Sequence, residues 1–435
     1  MSILILAFVF VISLAIVTTK GNRRLLLLLC GLFFTYDCVR VCRSPDISAY
    51  TTMILCFLLS LWKHGELKAN WKTYPLRWVT IAISIVVLLV GLLDNRLNFV
   101  SSFSRPFKDI CESYLCFFIG YASIKSLSDW EKSQEYLWNI FTFVGIWGLI
   151  TFVLQNNPWY DYVTSMYGNE VGIWSEVQTR GYRVSSFLSN PIVYGFVVGV
   201  ILINRTVEKI KGVYWAVALL FVANIVLSNS RTSYAAVAIA FVIMYVLRYR
   251  FSVKAAFAMF VLFGLSTVAY FNIEPFKNMI DLMSDLVLTG GANAGGSTTE
   301  LKELQWVASM YYYVQAPWFG NGLAYFGEVI MEGGGGMSED LAGMEGYVYK
   351  LLIEYGGVMI AAVLAFWSRT LWMYARYKKV NAPLSIVSIS IVLSFLFFIC
   401  ATGTYGSVFV YTSIILGMNL KCLQTLSKES KHTPA

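Results

Sequence analysis

Residues Val226–Ala240 read VLSNSRTSYAAVAIA. Two apolar runs meet there at a short turn that holds one arginine, Arg231. An arginine at the centre of a bilayer costs roughly 3 kcal/mol. If both runs cross a membrane, Arg231 therefore belongs at the surface between them. Outward from this turn, apolar runs of about 20 residues, enough to cross about 30 Å of hydrocarbon, recur toward both termini.

The chain has 435 residues, 57% of them hydrophobic and 13% charged, and its mean hydropathy is +0.64. A soluble protein of this length cannot hide so much apolar surface, so lipid is the solvent for much of it. Backbone exposed to lipid permits only helices or closed barrels. The sequence thus predicts an all-α polytopic membrane protein. About 13 transmembrane helices are expected, near 2–19, 25–41, 46–62, 76–93, 110–124, 136–154, 187–204, 212–228, 233–249, 253–271, 346–367, 383–401 and 403–420. Four segments follow: N-terminal helices (1–154), central helices with arginine-bearing outer loops (155–271), a large outer loop (272–345), and C-terminal helices with a basic tail (346–435). Lys20, Arg23 and Arg24 follow the first run, which is expected to stay as a helix rather than leave as a signal peptide.

Of the 33 lysines and arginines, 22 fall in alternate loops and the tail. The positive-inside rule makes that side cytoplasmic, with the N-terminus outside and the C-terminus inside. The net charge of +8 then reflects topology and contact with anionic lipid, and does not call for nucleic acid. The eight cysteines lie mostly in or beside apolar runs and form no CxxC, so neither a disulfide framework nor a zinc site is expected. P-loop, GxSxG and HExxH motifs are missing, and no metal or other cofactor is called for. His64 and His432 both fall on the cytoplasmic side, so outer-face proton transfer would rest on a carboxylate.

Three outer-face clusters stand out. RGYRVSSFLSNPIVYG (180–195) brings Arg180 and Arg183 up to an apolar span, with Asn190-Pro191 as the turn into it. Arg231 is the third arginine on a face otherwise poor in basic residues. Planar guanidinium forks suit a diphosphate. Pairing with loop acids such as Glu170 or Glu176, or an arginine snorkelling to the interface, explains any one of them equally well. MEGYVYKLLIEYGGVM (344–359) places Glu345 before a long span and Glu354 nominally inside it. A carboxylate at the helix start suits a proton acceptor, and simple capping accounts for it as well. TELKELQWVASMYYYVQAPWFGNG (299–322) predicts an amphipathic helix in the large loop, stopped near Pro317. Glycine clusters at 290–296 and 333–336 suggest that it moves. Tyr311, Tyr312, Tyr313 and Trp318 suit stacking on sugar faces or an interfacial belt.

The arginine-then-FLSNP entry at 183–191, SNSRTSYAAVA at 228–238, APWFGNGLAYFGE at 316–328 and EGYVYKLLIEYGGVM at 345–359, in that order, resemble the O-antigen polymerase and O-antigen ligase superfamily of bacterial membrane glycosyltransferases. The resemblance covers roughly the C-terminal half. It implies a many-helix fold of the GT-C type in the bacterial cytoplasmic (inner) membrane, working on the periplasmic face. It also implies glycan transfer from undecaprenyl diphosphate carriers, toward O-antigen, lipopolysaccharide, capsule or other polysaccharide. By the same resemblance Arg183 and Arg231 match the arginines that hold the carrier diphosphate, with Arg180 beside them. Glu345 stands where ligases place a histidine, which points to a repeat-unit polymerase with Glu345 as base. Tyr311, Tyr312 and Trp318 would contact sugar. Where relatives often carry an arginine before the loop helix, this chain has Lys302. The implied partners are lipid-linked glycan donor and acceptor, membrane lipid and a chain-length regulator. The alternatives are a glycan ligase and a flippase or transporter of the lipid-linked unit.

Overall fold

A computed structural model of the protein describes residues 3–35, 39–42, 45–167, 177–178, 181–208, 212–249, 270–271, 277, 280–281, 284–285, 299–323, 325–330, 341, 346–402 and 406–432. Arg180, Glu345, Asp37, both glycine clusters and all but two residues of the tenth expected span lie outside them.

Helices α1 (Ile3–Thr18) and α2 (Arg23–Phe34) lead to an antiparallel hairpin, β1 (Arg40–Cys42) with β2 (Ile47–Ser48). Then come α3 (Ala49–Lys63), α4 (Leu67–Thr73), α5 (Arg77–Leu93) and α6 (Phe99–Ile110). A π turn at Cys111–Leu115 joins α6 to α7 (Cys116–Ser123), and α8 (Leu127–Leu154) and α9 (Pro158–Tyr167) follow. A second hairpin, β3 (Val177–Gln178) with β4 (Gly181–Tyr182), precedes α10 (Pro191–Arg205), α11 (Tyr214–Leu227) and α12 (Arg231–Tyr249). The large loop contributes α13 (Thr299–Gln315) and a π turn at Tyr325–Ile330. Helix α14 (Tyr347–Lys350), a π turn at Leu351–Tyr355 and α15 (Gly356–Tyr377) make one interrupted span, followed by α16 (Ala382–Ala401) and α17 (Gly406–His432).

Five stretches are long and apolar enough to cross a membrane: Leu127–Leu154, Arg231–Arg248, Tyr347–Tyr377, Ala382–Ala401 and Gly406–Ser430. The pair α4 and α5, bent by 103°, makes a sixth if taken as one broken span. Four shorter apolar helices accompany them: Leu4–Thr18, Ala49–Lys63, Pro191–Arg205 and Tyr214–Leu227. The chain is thus an all-α membrane protein, and the described residues account for fewer long spans than the thirteen expected. Two expectations need correction. The span at 25–41 stops at Phe34, because Val39 accepts from the Ala49 amide (2.8 Å) and the chain turns into the first hairpin. The span at 110–124 is only the second part of a longer path. Asn98 Oδ1 accepts from the Ser101 amide (2.8 Å), so helix begins at Phe99 and reaches Ser123 through the π turn.

Small residues let helix backbones meet where lipid gives no hydrophobic drive for association. A Cβ on Gly120 of α7 would stand 2.0 Å from the Ile414 carbonyl oxygen, and one on Gly417 of α17 2.1 Å from that of Phe117. The same two helices bury Phe117, Tyr121, Tyr411 and Ile414.

The loops predicted to be cytoplasmic do gather at one end. Asn22 Nδ2 donates to the Asp129 carbonyl (2.8 Å), Tyr121 Oη to that of Thr73 (2.8 Å), and Arg369 Nε to that of Pro75 (3.2 Å). Near this end a chain of buried amides crosses the bundle. Trp130 Nε1 donates to Asn419 Oδ1 (2.9 Å), Asn419 Nδ2 to Asn204 Oδ1 (2.8 Å) and Ser388 Oγ (3.2 Å), and Asn204 to Gln134. These residues come from α8, α10, α16 and α17.

Arg24, 1% exposed, sits over the Phe57 ring and bonds Ser60 Oγ (3.1 Å) and Glu66 (2.8 Å), while Lys125 holds the other Glu66 oxygen at 2.5 Å. Burial pushes the Glu66 carboxyl up, but bonds and charge from Lys125 and Arg24 outweigh it and hold the group below its usual range. A carboxyl depressed on folding adds stability above its unfolded pKa of about 4.3, and loses it as pH falls through the folded value. Thermal unfolding in detergent should therefore show an acid-side loss below about pH 4.3 that Glu66→Gln flattens, at a neutral-pH cost on the order of 2 kcal/mol. An unchanged acid limb in the variant would contradict this.

Candidate functional site

Helices α10 and α12 bring their N-terminal ends together with the C-terminal end of α16. The Ser394 hydroxyl of α16 donates to the Ala236 carbonyl of α12, so the C-terminus of α16 lies level with the start of α12. Phe196 of α10 stacks on Phe398 of α16 with ring centroids 4.3 Å apart. Ser233 Oγ donates to the Ile192 carbonyl at 2.6 Å, tying the first turns of α10 and α12 to each other. Both helix starts carry the caps expected of them. Asn190 Oδ1 accepts from the Ile192 amide (2.7 Å) with Pro191 at the first helical position, and Ser230 Oγ accepts from the Ser233 amide (3.3 Å).

The turn between α11 and α12 is held from several sides. Arg183 Nε donates to the Ser228 carbonyl (3.3 Å) and the Val184 amide to that of Leu227 (3.0 Å). Tyr234 donates back to the Val226 carbonyl and lies within reach of the Arg183 charge. Asn229 takes a left-handed φ of 46°, which asparagine tolerates better than most residues. Arg183 and Arg231 are thereby brought to one turn, 9% and 8% exposed. The N-terminal ends of the α10 and α12 dipoles add positive potential there. Such an arrangement favours an anion with several oxygens.

The large-loop helix docks at the same end. Lys302 Nζ donates to the Ala401 carbonyl, the last of α16, at 2.8 Å, and Tyr349 Oη to the Lys302 carbonyl at 3.3 Å. The position next to Glu345 is close by, since a Cβ on Gly346 would lie 2.9 Å from the Cys400 carbonyl oxygen. At its other end, 316–322 is latched to the interrupted span. Asn321 and Gly322 amides donate to the Ile353 and Glu354 carbonyls (2.8 and 3.2 Å), and Gly357 and Val358 amides to those of Pro317 and Trp318 (2.7 and 3.1 Å). Gly320 has φ +69° and Gly356 φ +71°, and a Cβ on Gly320 would stand 2.3 Å from the Glu354 carbonyl. Gly320 and Gly356 thus serve close approach, and the loop helix makes contacts at both ends; the glycine clusters on which the expectation of movement rested lie outside the described residues.

The aromatic residues do not join the arginine turn. Tyr312 packs with Ala308, Ile330, Leu341 and Ile353 and meets the Tyr325 ring at 5.6 Å. Tyr311 and Trp318 are exposed, with Trp318 on the latch. They sit nine or more residues beyond Lys302, toward the π turn at 351–355.

Sequence reasoning singled out Glu354 but not the constellation it belongs to. Lys350 Nζ lies 3.7 Å from Asp109 and 3.6 Å from Glu354, and Tyr355 Oη donates to Asp109 at 2.5 Å. Tyr114 and Tyr347 hydroxyls meet at 3.3 Å beside it. The π turns at Cys111–Leu115 and Leu351–Tyr355 thus flank one ionic joint, consistent with the tendency of such bulges to sit at functional sites. Glu112 differs: it is buried against the hydroxyls of Ser48 and Thr51, a structural arrangement. No cluster of three or more potential metal ligands occurs among the described residues.

The family model described as O-antigen ligase matches residues 216–340. The match supports the O-antigen polymerase and ligase superfamily. It spans less than a third of the chain and contains Arg231 and the loop helix. Arg183 and Glu345 fall outside it. This family comprises glycosyltransferase-like enzymes acting on lipid-linked glycans. No curated protein matches the chain.

Proposed function

We propose that the protein polymerises undecaprenyl-diphosphate-linked oligosaccharide repeat units on the outer leaflet of the bacterial inner membrane. The observation that carries this reading is the docking of Arg183 onto the turn that begins α12 at Arg231, at the end where the large-loop helix is pinned. In the proposed reaction, a hydroxyl of one lipid-linked unit attacks the anomeric carbon of a second glycan. The bond from that carbon to the diphosphate oxygen breaks as the new glycosidic bond forms. Arg183 and Arg231, with Arg180 nearby in sequence, take up the charge that collects on the departing diphosphate. Glu345 receives the hydroxyl proton. Exposed Tyr311 and Trp318, with Tyr312 behind them, contact the glycan farther from the reacting bond. Metal chemistry is not needed for any of these steps.

A ligase that moves finished glycan to another acceptor is the second reading, favoured by the description of the matching family. Glu345, in the place where the resemblance expects a ligase histidine, supports the polymerase. Glycan analysis of a deletion strain separates them. Loss of long chains with single units still attached is the expected result, and restoring the gene should restore length. Loss of all attachment would make the protein a ligase. Repeat units trapped on the cytoplasmic side would make it a flippase.

A further inference from the structure

At the basic end, opposite the arginine turn, the chain bends by 103° between α4 and α5. Cationic side chains from three parts of the fold converge on the corner, residues 72–75. The Lys72 carbonyl accepts from Arg77 Nη1 at 2.7 Å. Arg369 Nε reaches from α15 to the Pro75 carbonyl at 3.2 Å. Lys421 Nζ of α17 stands 3.5 Å from Tyr121 Oη, and that hydroxyl donates to the Thr73 carbonyl at 2.8 Å. Arg376 lies two turns beyond Arg369 on the same face of α15.

Backbone carbonyls hold these cations in place without neutralising them. No aspartate or glutamate occurs between Glu66 and Asp94, between Glu112 and Asp129, or between Glu354 and Glu429, and the corner is built from those intervals. Glu66 is taken by Arg24 and Lys125, and Asp129 caps α8. Glu131 and Glu429 come nearest, on the Cys422 side of α17, and neither bonds Lys421. Among the described residues, none of Lys72, Arg77, Arg369, Arg376 and Lys421 meets a carboxylate at ion-pair distance. The segments 209–211 and 250–254, expected on the same side, add Lys209, Lys211, Arg250 and Lys254 and no acid.

The level of the corner in the membrane selects the anion. Trp78 and Trp372 are 68% and 53% exposed, with the guanidinium carbons of Arg77 and Arg376 at 5.2 and 5.5 Å from their rings. Exposed indoles at the ends of spans sit at the headgroup layer. The cations therefore stand where lipid phosphates stand, and guanidinium groups suit phosphodiester oxygens. A soluble phosphate would use the cations and leave the indoles without a role.

We propose that the corner at 72–75 binds the phosphate of one anionic glycerophospholipid, with Arg77, Arg369 and Lys421 at its oxygens and Trp78 beside its glycerol. This is narrower than the general attraction of basic loops to anionic lipid, because bonds to one stretch of backbone fix the cations. None of these residues belongs to the arginine turn, so the site stands or falls apart from glycan transfer.

The test is native mass spectrometry of the full-length protein in detergent, titrated with phosphatidylglycerol or with phosphatidylcholine of the same chains. One phosphatidylglycerol should be retained in preference to phosphatidylcholine. Arg77→Gln and Arg369→Gln should each weaken its retention about fivefold, the contribution of one basic residue beside an anionic headgroup. Arg376→Gln, which breaks no backbone contact, replaces Arg369→Gln if that protein fails to fold. Lys379→Gln, at the same end but bonded to nothing at the corner, should leave retention unchanged. Equal retention of the two lipids would overturn the assignment. So would a loss from Lys379→Gln as large as that from Arg369→Gln, which would mean diffuse charge rather than a site. Displacement of the lipid by an excess of inorganic phosphate would give the corner to a soluble anion instead.

Discussion

Arg231→Ala should lower the rate of glycan polymerisation by about 10²–10³-fold while leaving protein levels unchanged. The magnitude is that of removing one fixed donor from a developing anion in a water-poor site. The helix survives the change because its cap is Ser230, not Arg231. Alanine also keeps the first turn helical. Arg231→Lys should recover only part of the rate, since an ammonium restores charge without the two-pronged fork. The measurement is initial rate with purified protein and lipid-linked repeat units, alongside chain length in a complemented deletion strain. Wild-type rates from Arg231→Ala would remove the turn from the mechanism, whatever the fate of Arg183.

The second prediction concerns folding. Lys350→Met leaves Asp109 and Glu354 facing each other without their shared counter-charge. Glu354 is 3% exposed, so water cannot take over. Removing one partner of a buried pair costs about 3–5 kcal/mol, and the remaining exposure of Lys350 and Asp109 lowers the expected figure to about 2–3 kcal/mol. Lys350→Met/Glu354→Gln should recover part of the loss, because the second change removes the stranded charge. Unfolding midpoints of the two single variants and the double variant form the cycle. Strict additivity would mean that Lys350 and Glu354 do not act as a unit.

The arginine turn was legible in the sequence because its physics is local. Asn190-Pro191 and Ser230 are capping signals read within a few residues, and Arg231 between two apolar runs has few places to go. The segregation of basic loops was equally readable, and bonds such as Asn22 to Asp129 bear it out. Helix α6 was missed because Ser, Arg and Lys alternate with its phenylalanines and keep its mean hydropathy low. The four-residue spacing of Phe99, Phe103 and Phe107 after Asn98 was the available signal. The joint at Lys350 was out of reach, since Asp109 and Tyr355 are 246 residues apart and only the fold puts them together. Gly320 and Gly356 were not read for the close contacts they permit, because the residues they meet lie far off in the chain.

The amide chain from Gln134 through Asn204 and Asn419 to Trp130 and Ser388 has a bearing on traffic. A hydrated sugar moving along the bundle axis toward the basic end would have to part four helices and strand their amides in a dry interior. On the proposed reading, that layer therefore closes the route toward the basic end to donor, acceptor and lengthened glycan alike.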